Sequence, residues 1–561
     1  MAAVVIVESS GLPLEAVPMT PHRLDSFGRK KMWFACRAAA CGSIGGLLMG
    51  YDLGAMTDAL PEVTAFFQLS TVAAETVTAM MLVGCVVGAA VGGSVSDYLG
   101  RKLTVYATAC LFVLSAIVTA LCYQVSGLLV GRVLVGLGVA VSAIVDVTYL
   151  NEIAPREWRG MVVSCNELFV SVGVLLAFLL GYVVAPLQKG WRLVFGFPIV
   201  IAMCWLSLMF NLPESPKWLL VNGRSDDALR VYRVIEGGNE GAAQKEHAAA
   251  AASIAAARGG AGAGEGAAGA PTLRDLLCHA WAPQVAVAVS LMLLQQFVGH
   301  SALLSYAPSV LDSVGLSADG AAAVVVVLGC VKVIFTLAAL AVVDVVGRKS
   351  LLMCGAVGMM GAYVVLASAL SGPPSTSNTT LAVVAMNGVV ACYALGFGPV
   401  TWLVVSELFP DDCRGRAIGV ASVANWLANA LVVGTYLSVV KQYGEASTFS
   451  IYACVCGASA LFVHLIIPET RLKDVSDLRR EVQARVQRLH PARLWRGACG
   501  GGCCFGRYAD LDSVHGRGRS RSVGSDGGGD AVSVASYGDA PHLMLSVMPS
   551  SSSQPTGRAA L

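Results

Sequence analysis

The sequence predicts an all-α membrane protein of twelve transmembrane helices in two six-helix halves. Three observations predict it: a strongly apolar composition, a dozen apolar runs of spanning length, and a set of loop motifs that occurs twice. Of 561 residues, 56% are hydrophobic and 13% charged, and mean hydropathy is +0.68. A water-soluble fold has nowhere to bury that much apolar surface. The net charge of +2 leaves no basic footprint for nucleic acid. The 17 cysteines are odd in number and scattered through apolar runs. They read as small buried hydrophobes, not as a disulfide framework or a zinc site. No HExxH, nucleophile elbow or pair of carboxylates at a common depth marks an enzyme, and no metal or cofactor is expected. The N-terminus lacks the ordered regions of a cleaved signal peptide, so the first apolar run is expected to stay.

In chain order, residues 1–33 are polar and end in Arg29, Lys30 and Lys31. Runs of about 20 apolar residues, enough to cross a bilayer as helix, follow near 34–57, 76–96, 103–122, 128–149, 161–185 and 193–211. They make a first half, 34–211. Residues 212–281 form a polar linker with a helix from Ser225 to Glu236. From Gly237 to about Ala270 the linker is Ala/Gly-rich, and disorder is expected because bulky side chains are missing. It contains no GxxxxGK[ST] phosphate loop. Six more runs, near 282–311, 320–343, 350–370, 381–406, 416–440 and 449–467, make a second half, 282–467. The tail, 468–561, opens with a basic helix-like stretch from Leu472 to Arg496 and is otherwise expected to be disordered. Its Cys499, Cys503 and Cys504 suit S-palmitoylation or remain plain thiols. Asn378-Thr379-Thr380 fits the glycosylation pattern in a short outer loop.

Basic residues in short loops set the orientation. Arg101, Lys102, Arg156, Arg159, Arg348, Lys349, Arg414 and Arg416 fall on one side, against Lys189, Arg192 and Lys441 on the other. The first side is therefore read as cytoplasmic, with both termini and the linker. The halves also repeat: SDYLGRK at 96–102 is answered by VDVVGRK at 343–349, NEIAPREWRG at 151–160 by SELFPDDCRG at 406–415, and PESPKWL at 213–219 by PETRLKD at 468–474. Matches in register, on the same side, are expected of a parallel duplication.

Ionisable residues at membrane depth are functional candidates. Asp52, in GYDLGAM at the close of the first run, faces the interior or water, carries a proton, or sits just past the helix end. Glu167 and Lys332 lie well inside apolar runs. They serve a pathway, or pair with each other and stabilise the bundle.

GYDLGAM, the two GRK loops, GRVLVGLG, PESPKWL, LQQFVG, GFGPVTWLVVSELFP and PET together resemble the sugar porter family of the major facilitator superfamily, over about residues 34–475. The resemblance is nearest to the plant polyol/monosaccharide proton symporters: Glu167 stands where hexose porters have glutamine, and Lys332 where they have asparagine. It implies the major facilitator fold, and substrate binding by Glu167, Gln295, Gln296, Ser301, Lys332, Trp402 and Asn425. Gln295 and Gln296 lie ~20 Å above the start of span seven and Asn425 ~15 Å into span eleven, near the midplane where transporters bind. Ser301, His300, Ser305 and Val174 depart from the family pattern, which bears on substrate identity.

The resemblance also implies proton coupling by Asp52, near the far end of span one, with Arg132 within its reach. It implies a cytoplasmic gate of acid–base pairs: Asp97 with Arg101, Glu152 with Arg159, Asp344 with Arg348 and Glu407 with Arg414. The expected activity is import of a polyol or monosaccharide with a proton by alternating access. The chain is expected as a monomer in the plasma membrane. Alternatives are a facilitative or vacuolar carrier, or a transport-dead sugar sensor.

Overall fold

In a computed structural model of the chain, residues 26–259, 281–373, 375–471 and 473–489 are described. They contain twelve helices long and apolar enough to cross a membrane. Spans one to six are Phe27–Phe67, Thr71–Leu99, Arg101–Leu121, Val125–Ile153, Arg156–Val184 and Gly190–Met209. Spans seven to twelve are Ala282–Ser305, Ala318–Val346, Arg348–Ser371, Thr376–Glu407, Cys413–Tyr443 and Glu445–Leu465. Their starts have local causes. Ser70, Ser317 and Ser375 each accept a backbone N–H of the first helical turn, from Ala73, Gly320 and Asn378. Val83, Val87 and Val91, four residues apart, are 43%, 51% and 41% exposed, an apolar stripe fit only for lipid.

The first span differs most from expectation. It runs 41 residues, about 60 Å of helix, with only Ser43 interrupting it. Asp58 and Glu62 lower its hydropathy without ending it, and Pro61 sits inside it. It stops at Gln68, in the left-handed conformation (φ 52). Asp52 is therefore near the middle of the span, not near its far end. Asn378 also moves: it lies in the first turn of the helix that opens span ten, where its side chain donates to Pro373 O at 2.9 Å, rather than in a loop.

Small residues let helices pack at backbone contact, as bilayer helices require. A Cβ on Gly50 would stand 1.9 Å from Val170 O, joining spans one and five. One on Gly136 would stand 1.8 Å from Met81 O, joining spans two and four. The halves meet where span two packs on span eleven and span five on span eight.

The linker is more ordered than expected. Helices Pro216–Val221, Ser225–Ile235 and Glu240–Gly259 follow span six. Alanine, the best helix former, outweighs the glycines of the third. Lys31 donates to Glu157 (2.9 Å) and Glu236 (2.6 Å), and Arg156 pairs with Glu246 (2.9 Å), which docks the linker beside the loops of the first half. After span twelve, the helix Val475–Leu489 returns to span seven, with the Arg479 guanidinium 4.6 Å from the Trp281 ring. Cys499, Cys503 and Cys504 lie outside the described residues.

Candidate functional site

Two of the spans that build the site are broken. Span seven is helical over Ala282–Phe297 and resumes at His300–Ser305, after Gly299 at φ +78. No side chain fits at the break: a Cβ on Gly299 would meet the Tyr452 ring at 2.6 Å. Span ten is helical over Thr376–Leu395 and resumes at Phe397–Glu407 after Gly396. Breaks at membrane depth are tolerated where protein groups take up the freed backbone.

Here side-chain amides do so. Gln295 donates to Phe397 O (2.7 Å) and Gly398 O (3.2 Å) at the break in span ten. Asn425 of span eleven donates to Gln295 Oε1 (2.8 Å) and Met292 O (3.1 Å). Gln296 donates to Asn425 Oδ1 (3.2 Å), and Ser301 donates to Gln296 Oε1 (3.0 Å) across the break in span seven. Three residues expected at one depth, Gln295, Gln296 and Asn425, thus form one hydrogen-bonded chain with Ser301 across spans seven, ten and eleven. Beside it, His300 Nε2, Thr401 Oγ1 and Asn429 Oδ1 are buried without a partner among the described residues.

Lys332 joins this cluster indirectly. The His300 ring stacks on Tyr393 at 3.6 Å and 3°, and the Lys332 ammonium lies 5.6 Å from the Tyr393 ring centroid. Trp402 is half-buried against the core of span ten, with no polar contact to the chain of amides among the described residues.

Glu167 and Lys332 do not pair. Spans five and eight run antiparallel: Ser171 Oγ lies 2.9 Å from Thr336 Oγ1, while Gly329 packs against Leu175. That register sets the Lys332 backbone about 9 Å from the level of Glu167. The stabilising ion pair is thus not made in this conformation.

In the first half, Asp52 and Arg132 are 3% and 2% exposed, yet they make no ion pair. Arg132 Nη2 donates to Met81 S at 3.3 Å and its guanidinium lies 5.7 Å from the Phe195 ring. Arg132 Nε and Asp52 Oδ2 are without hydrogen-bond partners among the described residues.

The loop charges form the same module twice. Arg101 pairs with Asp97 (2.9 Å) and holds Glu152 through Nε (3.0 Å) and Nη2 (3.2 Å). Arg348 pairs with Asp344 (3.0 Å) and holds Glu407 through Nε (3.2 Å) and Nη2 (3.0 Å). Gly100 and Gly347, at φ +93 and +94, precede these arginines. Glu214 and Glu469, from the PES and PET motifs, accept the Arg101 and Arg348 backbone N–H groups at 3.1 and 2.9 Å. Two expected pairings are therefore replaced: Glu152 is held by Arg101 rather than Arg159, and Glu407 by Arg348 rather than Arg414. The reason is tertiary: each arginine opens a span beside the end of another span of the same half. Among the described residues Arg159 Nε is buried without a partner, and Arg414 donates to Phe409 O (3.2 Å).

Three residues that the sequence does not single out also bear on the site. Glu75, one residue before the apolar run 76–96, is 3% exposed in span two and accepts both Ser438 N and Ser438 Oγ of span eleven at 2.6 Å. Asp146, 1% exposed in span four, accepts from Ser142 at 2.5 Å; the rule that singles out Asp52 would have found it. Tyr393 carries no signal, being an aromatic residue in an apolar run.

The family described as "Sugar (and other) transporter" matches residues 38–481. The chain is 32% identical over 458 residues to the D-xylose-proton symporter-like 2 of Arabidopsis thaliana, covering 76% of this chain and 87% of that protein. It is 30% identical over 475 residues to the D-xylose-proton symporter of Escherichia coli (strain K12), covering 78% and 93%. Among solved structures, the proton:xylose symporter XylE bound to 6-bromo-6-deoxy-D-glucose superposes with a TM-score of 0.67 at 28% identity, over 80% of this chain and 99% of that one.

Proposed function

The chain belongs to the sugar transporter family of the major facilitator superfamily, and on that premise we propose that it imports a polyol or monosaccharide together with a proton by alternating access. The observation that carries the substrate class is the amide chain Ser301–Gln296–Asn425–Gln295 at the broken helices. A sugar or polyol presents many hydroxyls, and each one left unpaired in a dry site costs about 1–3 kcal/mol. Amides supply donors and acceptors together. The unpartnered atoms of His300, Thr401 and Asn429 extend that surface. Trp402 stacks on the ring or carbon chain. Glu167 and Lys332 bias the site toward polyols, and Tyr393 holds the Lys332 ammonium in place.

Coupling falls to Asp52. In the conformation described it is buried, its Oδ2 has no hydrogen-bond partner among the described residues, and it makes no ion pair with Arg132. When solute closes the site, approach of Arg132 favours the ionised carboxylate and expels the proton. The basic-loop side faces the cytoplasm, together with the linker and both termini, in the plasma membrane.

The test is labelled-solute uptake in a transport-deficient host, across polyols and sugars, at two external pH values, with and without uncoupler. Wild type accumulates at least one solute against its gradient, more at acidic pH, and loses this with uncoupler. Asp52→Asn keeps solute exchange and loses uphill accumulation. Accumulation by Asp52→Asn at the surface, still pH-dependent, would remove Asp52 from the coupling role. A wild type that equilibrates solute without accumulating it would make the protein a facilitative carrier.

A further inference from the structure

The start of span one carries a feature that transport does not use. Ala35 and Ala39 pack on Leu150, Ala154 and Val162, so this stretch lies level with the loop charges Glu152 and Arg159 rather than at membrane mid-depth. Beside it the linker helix Ser225–Ile235 ends in a turn through Gly237 (φ +66) and Gly238 (φ +95). The turn touches span one: a Cβ on Gly237 would stand 2.5 Å from Phe27 O. Between them is a cavity of ≈ 470 Å³ lined by Lys30, Trp33, Phe34, Arg37, Arg233 and Val234.

Its wall holds three cations and no carboxylate. Neighbouring Lys31 is taken up by Glu157 and Glu236. Arg233 has one acid nearby, with Nε 2.9 Å from Glu240. Among the described residues Arg37 Nε is buried without a hydrogen-bond partner, and its guanidinium lies 5.6 Å from the Phe34 ring. Of the apolar wall, Phe34 is buried, whereas Trp33 is 72% exposed and Val234 50%. Exposed aromatic surface interleaved with basic side chains is the chemistry of a membrane interface. A free anion would use the cations and leave Trp33 and Val234 against water. A phospholipid uses both.

We propose that this cavity binds one anionic phospholipid from the leaflet on the basic-loop side. Its acidic headgroup lies among Lys30, Arg37 and Arg233, and its acyl chain runs along Trp33 and Val234. The bound lipid bridges the first span to the linker.

The experiment uses the full chain in phosphatidylcholine vesicles, with spin-labelled phosphatidylserine or phosphatidylcholine as probe. The readout is the preference for phosphatidylserine in the immobilised fraction. Each basic side chain near a membrane surface contributes roughly a fivefold preference. Lys30→Gln, on an exposed side chain that folding does not need, lowers the preference about fivefold. The variant combining Lys30→Gln, Arg37→Gln and Arg233→Gln lowers it by up to about a hundredfold. Equal immobilisation of the two lipids by wild type overturns the proposal, as does an unchanged preference in Lys30→Gln. Loss of the phosphatidylserine signal to competing inorganic phosphate would make this a small-anion site and equally overturn it. Binding is read without transport, so neither result bears on proton coupling.

Discussion

Glu75→Gln tests whether the halves are clasped on the side remote from the basic loops. In this conformation the Glu75 carboxylate takes two 2.6 Å bonds from Ser438, one from the backbone N–H and one from the hydroxyl, at a site 3% exposed. Bonds to a charged group are worth about 1.5–3 kcal/mol, against 0.5–1.5 for neutral ones. Glutamine keeps the shape and can make both contacts as neutral bonds. The substitution therefore removes only the charge-assisted part, about 2–3 kcal/mol over two bonds. That shifts the balance between states closed and open on this side by about 30- to 150-fold. Hydrogen–deuterium exchange of the purified protein reads it directly. Amides at the start of span two and the end of span eleven should lose protection by up to that factor, while those at the basic-loop ends stay unchanged. Ser438→Ala, which removes one of the two bonds, should give a smaller shift in the same peptides. Unchanged protection in Glu75→Gln would refute the reasoning and leave the contact a static ornament of one conformation.

Two further outcomes are expected. Glu167→Gln and Lys332→Asn should change the ranking among polyols and sugars more than they change surface abundance; equal loss for every solute, in step with reduced protein, would return both residues to a structural role. Gly347→Ala puts a side chain at φ +94 with its Cβ 2.7 Å from Glu469 Oε2, a strain of about 1–3 kcal/mol. Its detergent-solubilised form should melt at a lower temperature than wild type, and an unchanged melting curve would mean the loop relaxes freely.

The span count and the two halves were legible because bilayer thickness writes itself into run length and because the loop motifs repeat. Helix ends were not. Asp58 and Glu62 interrupt hydropathy, but span one is sheltered by protein on that stretch and continues past them, so Asp52 shifts from the end of the span to its middle. The amide chain was readable as depth: Gln295, Gln296 and Asn425 counted to one level, and Ser301 closed onto it through the break at Gly299. Depth along a single helix says nothing of rotation or of stagger between antiparallel neighbours, which is why Glu167 and Lys332 suggested a pair they do not form. Loop charges misled for a related reason. Arg159 is near Glu152 in sequence, but Arg101 arrives from the start of another span with its guanidinium already aimed.

The duplicated arginine modules have a mechanical consequence. Arg101 with Glu152, and Arg348 with Glu407, each tie ends of the same half together, so neither bond stretches when one half tilts against the other. They stiffen two levers. Ser171 and Thr336 touch between the levers within spans five and eight, as a fulcrum would, and Glu75 and Ser438 join them at one rim. A load applied at that rim is then carried through stiff bodies to the other without being absorbed in loop deformation. On the proposal of alternating access, weakening Arg101 or Arg348 would make the lever bend, so that motion at one face no longer arrived at the other.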